Sequence, residues 1–110
     1  MSGKNAWDEE GEGLVITKPK ARTKTPSMYK VLLLNDDYTP MEFVVWVLRV
    51  VFNKEQSEAT RLMLDVHTTG KGLCGVFTYD VAKSKAAQVE TLAAKHEYPL
   101  KCRLEAVETE

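Results

Sequence analysis

Residues 28–48 read MYKVLLLNDDYTPMEFVVWVL, and this stretch decides the fold. Its first seven letters form an apolar run, which is typical of a buried strand over residues 28–34. The polar letters NDD at 35–37 then supply a turn, because Asn and Asp side chains bond nearby backbone groups. The letters TPME at 39–42 match a capping box with proline at the first helical position, so the stretch predicts a helix over 41–52.

The rest of the chain adds two further helices and two further strands. The letters NKEQ at 53–56 offer a second capping box, for a helix that stops near Gly70. An apolar strand is predicted over 73–78, a third helix begins at Asp80, and alternating residues predict a last strand over 100–106. The element order is β-α-α-β-α-β, which predicts a single small α+β sandwich.

Residues 1–27 differ from the rest of the chain. An acidic run at 8–12 precedes a basic run at 18–24, with the short apolar cluster Leu14-Val15-Ile16 between them. A segment without periodicity cannot bury enough surface to offset its ordering entropy. We therefore expect residues 1–27 to be a flexible N-terminal extension and residues 28–110 to be the core domain.

The composition limits the classes of function. The chain has 110 residues and a formal net charge of −1, which argues against electrostatically driven nucleic-acid binding. No apolar run approaches the ~20 residues of a membrane span, and the first residues lack the apolar core of a secretory signal. The two cysteines have no CxxC spacing, which suggests a reducing compartment and no zinc site. We expect a cytoplasmic protein that binds neither nucleic acid nor a membrane.

The densest polar cluster, Asn35-Asp36-Asp37, has two interpretations that the residues alone leave open. It is either an ordinary turn or a negatively charged strand end where a cationic group binds. His67 is likewise either a structural histidine at the edge of a helix or part of a site. No HExxH or DxD spacing indicates a metal site. No nucleophile beside a base is indicated either, because Cys74 and Cys102 lie in predicted strands as core residues. The sequence does not favour an enzyme, and we expect no cofactor and no metal.

Several motifs in their order resemble those of ClpS, the bacterial adaptor of the ClpA–ClpP protease. They are PSMYKV at 26–31, NDDYTPMEFV at 35–44, MLDVH at 63–67, GK at 70–71, CGVFT at 74–78 and PL at 99–100. The resemblance covers nearly all of residues 26–106, and the ten-letter block is its most specific part. It implies a three-stranded antiparallel sheet with three helices, similar to the C-terminal domain of the ribosomal stalk protein.

The resemblance also implies a function: binding proteins whose first residue is Leu, Phe, Tyr or Trp and delivering them for degradation. Four residues would bind the α-amino group of the substrate: Asn35, Asp36, Asp37 and His67. Six would line the pocket for the first side chain: Thr39, Met41, Val44, Met63, Val66 and Leu100. Docking on the N-terminal domain of ClpA is implied for Asp80 and Lys85, although the family more usually has glutamate at the first of these positions.

One alternative accompanies this interpretation. The chain could instead be a diverged module of the same fold, with a narrower range of cargo or another partner.

Trp46 falls on the polar face of the first helix, where it is either a partner contact or a half-buried surface residue, and we favour the second. In either case we expect a monomer.

Overall fold

The computed structural model describes residues 27–108, so the predicted N-terminal extension falls outside the described residues. The elements are β1 (Met28–Leu34), α1 (Met41–Val50), α2 (Gln56–Thr69), β2 (Lys71–Thr78), α3 (Tyr79–Lys95) and β3 (Lys101–Ala106). The predicted order β-α-α-β-α-β and the α+β class are confirmed.

The sheet has the strand order β2-β1-β3, and both pairs are antiparallel. The apolar run of β1 is therefore central and is hydrogen-bonded on both sides. Val31 pairs with Gly75 on β2 and with Leu104 on β3, which fixes the register of all three strands. A register shift after Val31 lets Cys74 of β2 reach the buried face as an extra residue.

The core lies between one face of this sheet and the three helices. Val31 and Leu33 of β1 are fully buried, and so are Val47 and Leu48 of α1. The other buried contributors come from the three helices, β2 and the segments that join them: Phe43, Val44, Val51, Phe52, Ala59, Leu62, Val66, Cys74, Ala82, Val89, Ala93 and Leu100. This apolar layer holds the first turn of α1 and the last turn of α2 in place.

Both predicted capping boxes are wrong. The residues before α1 and α2 are Pro40 and Glu55, and neither helix start has a side-chain cap. The Thr39 hydroxyl instead donates to the Asp36 carboxylate, at 2.8 Å. Asn53 has a φ of 59°, so it turns the chain between the two helices rather than capping the second. The hydroxyl of a capping box accepts a hydrogen bond from a helix amide, so the motif forms a cap only where the helix begins directly after the Ser or Thr.

Two element boundaries also differ from expectation. Helix α1 ends at Val50 rather than near residue 52, and the amide of Lys54 closes the following turn by donating to the carbonyl of Leu48. Strand β2 begins at Lys71, two residues earlier than predicted, because Lys71 and Gly72 pair with the end of β1. The glycines on both sides of Lys71 are typical of a loop, yet Gly72 pairs with the central strand β1.

Trp46 belongs to an aromatic cluster on the outer surface of α1. Its ring lies 5.6 Å from that of Phe43 and 6.0 Å from that of His96, measured between centroids. The ring of Tyr98 lies 4.8 Å from that of Phe43 and completes the cluster. Trp46 is 41% exposed, so it is a surface residue, and whether it contacts a partner stays a prediction.

Neither cysteine thiol is expected to react in the folded chain. Burial raises the pKa of Cys74 and of Cys102 to about 12, so almost no thiolate forms near neutral pH. Alkylation by iodoacetamide at about pH 8 should therefore be slow in buffer and complete in denaturant. Mass spectrometry of timed samples measures the difference. Equal rates in buffer and in denaturant would contradict the burial of these thiols.

Candidate functional site

A pocket of about 370 Å³ opens between the loop after β1, the first turn of α1 and the last turns of α2. The side chains around it come from two short segments of the chain: Asn35, Asp36, Asp37, Tyr38, Thr39, Pro40, Met41, Val44, Met63, Val66 and His67. They include nine of the ten residues that the sequence predicts for binding an α-amino group and a first side chain. The structure thus brings the NDD turn and His67 together.

Backbone hydrogen bonds position the two segments against each other. The amide of Asn35 donates to the carbonyl of Gly70 at 3.0 Å, which joins the loop after β1 to the end of α2. Gly70 has a φ of 95° and ends α2 in the left-handed conformation, with its amide bonded to the carbonyl of Val66. Because His67 lies three residues before Gly70, its side chain is held next to the polar loop.

Asp36 organises this loop. Its carboxylate accepts hydrogen bonds from the amides of Tyr38 and Thr39, at 2.8 and 2.7 Å, and from the Thr39 hydroxyl. Burial alone would raise the pKa of Asp36, but these three hydrogen bonds outweigh it and lower the pKa below its usual value. Asp36 therefore supplies negative charge from a carboxylate that is already bonded to the loop.

Asp37, Asn35 and His67 have side chains that remain available to a ligand. All three are exposed, and none makes a side-chain hydrogen bond or ion pair with another residue in the range 27–108. A carboxylate, an amide oxygen and an imidazole nitrogen can each accept a hydrogen bond. The polar end of the pocket therefore suits a cationic donor.

The remaining walls are apolar. Val44 and Val66 are 6% and 3% exposed and form the deep wall, whereas Met41 is 44% exposed and lies at the rim. Met63 is partly buried against the core beside them. Unbranched methionine side chains adapt their shape to flat rings and to branched aliphatic groups alike.

Leu100 does not line this pocket. It is 2% exposed and borders a separate cavity of about 10 Å³, which shares five residues with the pocket: Asn35, Asp36, Thr39, Val44 and Val66. Leu100 therefore lies behind the apolar wall.

Sequence reasoning missed Tyr38 and Pro40, which do line the pocket. Their position inside the NDDYTPM loop was the available signal, and Tyr38 is the most exposed large side chain there, at 77%.

Comparison with known proteins identifies the family of this chain. Residues 24–103 match the model of the family described as ATP-dependent Clp protease adaptor protein ClpS. The chain belongs to the ClpS family. This is a family of adaptor proteins and not of enzymes.

Similar proteins carry the same family name. The chain is 57% identical to a ClpS adapter protein of Rhodospirillum centenum, over 96% of this chain and 98% of that protein. It is 60% identical to one from Parvibaculum lavamentivorans, over 83% of each chain. Among solved structures, ClpS2 of Agrobacterium tumefaciens bound to L-phenylalaninamide matches with a TM-score of 0.74 and 38% identity, covering 76% of this chain and all of that one.

The two residues predicted to dock on ClpA differ in their surroundings. Asp80 is exposed in the first turn of α3. The Lys85 ammonium group donates to the carbonyl of Val51 at 2.8 Å and lies 5.8 Å from the centre of the Phe77 ring. Lys85 therefore holds the end of α1 against α3, and because an ammonium group has three donors, two remain for other partners.

Two other features of the described residues bear on function. Between residues 27 and 108, no three His, Cys, Asp or Glu side chains converge as they would around a metal ion. In the same range, no helix combines the length and apolar character needed to cross a membrane.

The Asp36→Asn substitution is expected to weaken the pH dependence of stability. Because the folded pKa of Asp36 is lowered, its ionised carboxylate stabilises the fold above the unfolded pKa of about 3.9, and this contribution is lost as the pH falls through the folded pKa. Urea unfolding between about pH 6 and about pH 2.5 measures the loss. The unmodified chain should lose more stability over this interval than the variant. Equal losses would contradict the role assigned to Asp36.

Proposed function

We propose that this chain binds proteins whose first residue is Leu, Phe, Tyr or Trp and delivers them to the ClpA–ClpP protease. The observation that carries the proposal is a single open pocket with hydrogen-bond acceptors at one end and an apolar wall at the other. A free protein N-terminus presents the matching pair of groups: an ammonium group and, next to it, the first side chain. The Agrobacterium relative, whose structure contains L-phenylalaninamide, supports this assignment.

The polar end recognises the α-amino group. With a pKa of about 7.7–8.0, an α-amino group is mainly cationic at neutral pH and offers three hydrogen-bond donors. The carboxylate of Asp37, the side-chain oxygen of Asn35 and a neutral imidazole of His67 supply acceptors from both sides of the pocket. The bonded carboxylate of Asp36 adds negative charge behind them.

The apolar end selects the first side chain. Met41, Val44, Met63 and Val66 form a wall that fits a leucine or an aromatic ring. Isoleucine and valine are broad next to the backbone and have little χ1 freedom, so they should fit poorly between the acceptors and this wall. Leu100 supports the wall from behind.

The expected affinity suits an adaptor that must release its cargo. Two hydrogen bonds to a charged group at roughly 1.5–3 kcal/mol each, with one buried side chain at ~1.5–3 kcal/mol, give about 4.5–9 kcal/mol. Association costs reduce this sum, so the dissociation constant should be micromolar or weaker.

We assign docking on the N-terminal domain of ClpA to the start of α3. Asp80 offers an exposed carboxylate, and Lys85 offers the two ammonium protons that Val51 does not engage. These positions are five residues apart, which turns them about 140° from each other on the helix. A partner would therefore contact the start of α3 from two sides. Asp80 is one methylene shorter than the usual glutamate of the family, so the partner surface must approach more closely.

Degradation by purified ClpA and ClpP tests delivery. The substrate is a fluorescent protein that begins with phenylalanine, and the matched substrate begins with methionine. We expect the chain to accelerate loss of fluorescence for the first substrate alone. Asp37→Ala should weaken both peptide binding and delivery, whereas Asp80→Ala should abolish delivery and leave peptide binding intact. Equal acceleration of both substrates, or none of either, would contradict the proposal.

A further inference from the structure

The sheet has a second face that the helices do not cover. Successive side chains of a strand point to opposite faces, so Lys30, Leu32 and Leu34 point away from the core that contains Val31 and Leu33. Although Leu32 is only 6% exposed, it is not part of the core cluster. We call this second surface the open face.

An apolar strip crosses the open face from β1 to β2. Leu73 pairs directly with Leu32, and Val76 pairs with Lys30 one row away. Leu73 and Val76 are 44% and 43% exposed, whereas Leu32 is buried. Leu73 and Val76 therefore leave exposed apolar surface beside Leu32, and neither belongs to the core cluster formed within residues 27–108.

Charge is distributed unevenly around this strip. Lys71 and Lys101 both pair with Leu34, so two ammonium groups flank the end of the open face where β1 finishes. Arg103 pairs with Leu32 and forms an ion pair with Glu105 at 3.1 Å. Glu105 lies toward the other end, opposite Lys30. The open face is thus cationic at the Leu34 end. Glu105, the one acidic residue in the three strands, lies near the Met28 end.

The segment that precedes β1 has the complementary order of residues. Its apolar cluster, Leu14-Val15-Ile16, lies between an acidic run at 8–12 and a basic run at 18–24. We propose that residues 8–16 fold back over the open face. In this arrangement the apolar cluster covers the strip, the acidic run meets Lys71 and Lys101, and the basic run lies toward Glu105. Docking of this kind combines apolar burial with charge pairing.

The length of the connection allows this arrangement. Residue 16 is twelve positions before Met28, and twelve extended residues span up to about 40 Å. The row of Leu32 and Leu73 is four residues along β1 from Met28, or about 13 Å. The segment can therefore reverse direction before β1 and still reach the strip. A few further residues bring the acidic run to Lys71 and Lys101.

A spin label on the N-terminal segment tests the proposal in the full chain. Gly13→Cys introduces a cysteine for a nitroxide, while Cys74 and Cys102 should not react because burial raises the pKa of both thiols to about 12. We expect the amide resonances of Leu32, Leu73 and Val76 to broaden strongly. Amides of the groove between α1 and α3, near Val50 and Gln88, provide the internal reference and should stay sharp.

Two variants separate the contributions. Leu73→Gln should lower the ratio of docked to undocked chains about tenfold, whereas Leu64→Gln, at a leucine that is 47% exposed on α2, should leave it unchanged. If the Leu73 variant fails to fold, neutral amides in place of the acidic side chains give the second measurement. Changing Asp8→Asn, Glu9→Gln, Glu10→Gln and Glu12→Gln leaves the described domain intact and should also reduce the broadening.

Three results would overturn the proposal. The first is no selective broadening of the open face, and the second is broadening centred on the groove between α1 and α3. The third comes from mixing spin-labelled chains with isotope-labelled chains that carry no nitroxide. Broadening of equal strength in that mixture would show that a second copy, and not the chain's own N-terminal segment, covers the face.

Discussion

Replacing Asp37 with alanine is expected to weaken binding of a peptide that begins with phenylalanine by about ten- to a hundredfold. Hydrogen bonds to charged groups contribute roughly 1.5–3 kcal/mol, and each 1.4 kcal/mol is a tenfold change in the dissociation constant. Asp37 is the one carboxylate in the pocket whose oxygens no described residue engages, because those of Asp36 are bonded to the loop. Fluorescence anisotropy with a labelled peptide measures the affinity.

Two controls tie this effect to the ammonium group. Asp80→Ala removes an exposed carboxylate outside the pocket and should leave the affinity unchanged. With an acetylated peptide, which lacks the charge, the difference between the Asp37→Ala variant and the unmodified chain should vanish. The stability of the variant should also match that of the unmodified chain, because the Asp37 side chain makes no hydrogen bond or ion pair with another residue in the range 27–108. An affinity loss of the same size in Asp80→Ala would contradict the role of Asp37.

Gly72→Ala is expected to destabilise the fold by about 1–3 kcal/mol and to weaken peptide binding at the same time. A Cβ atom at Gly72 would lie 2.7 Å from Cγ2 of Val66 and 3.3 Å from the backbone oxygen of Leu62. The backbone of α2 cannot yield easily, so Val66 must move. Because Val66 forms the deep wall of the pocket, its displacement changes the space for the first side chain. Urea unfolding and peptide titration measure the two effects.

A double substitution tests whether the contact with Val66 is the cause. Val66→Ala alone creates a cavity and should also destabilise the fold. In the chain that carries Gly72→Ala and Val66→Ala together, the clash with Cγ2 is removed, so the combined destabilisation should be smaller than the sum. Strictly additive losses would show that Gly72 acts independently of the pocket wall.

The sequence predicts most of the pocket because its residues lie in two compact motifs. The NDDYTPM loop and the MLDVH segment each place several side chains on one short piece of backbone, so any fold that brings the two together forms the site. The element order is also readable, since the apolar runs are well separated by turn residues. The sequence does not show which of these side chains form hydrogen bonds with their neighbours.

The partner that each side chain finds depends on the fold. Thr39 matches a capping motif, but Pro40 is the residue that precedes α1, and the Thr39 hydroxyl donates to the carboxylate of Asp36, three residues earlier. Lys85 stays a predicted docking residue, and its ammonium group also donates to a carbonyl 34 residues away. Leu100 stays a predicted pocket residue, and it borders a small cavity whose other walls include Val44 and Val66 of the pocket. A sequence pattern indicates which groups can bond, whereas the fold decides which partner is nearest.

The most direct test of the account is a titration with peptides that differ only at the first residue: Phe, Leu, Tyr, Trp, Ile and acetylated Phe. The account predicts binding of the first four with dissociation constants that are micromolar or weaker, and binding at least about tenfold weaker than these for Ile and for acetylated Phe. Binding of one residue alone among the four would favour a module with a narrowed range of cargo. Acetylated Phe binding as tightly as Phe, or no binding by any peptide, would contradict the claim that the pocket recognises a free protein N-terminus.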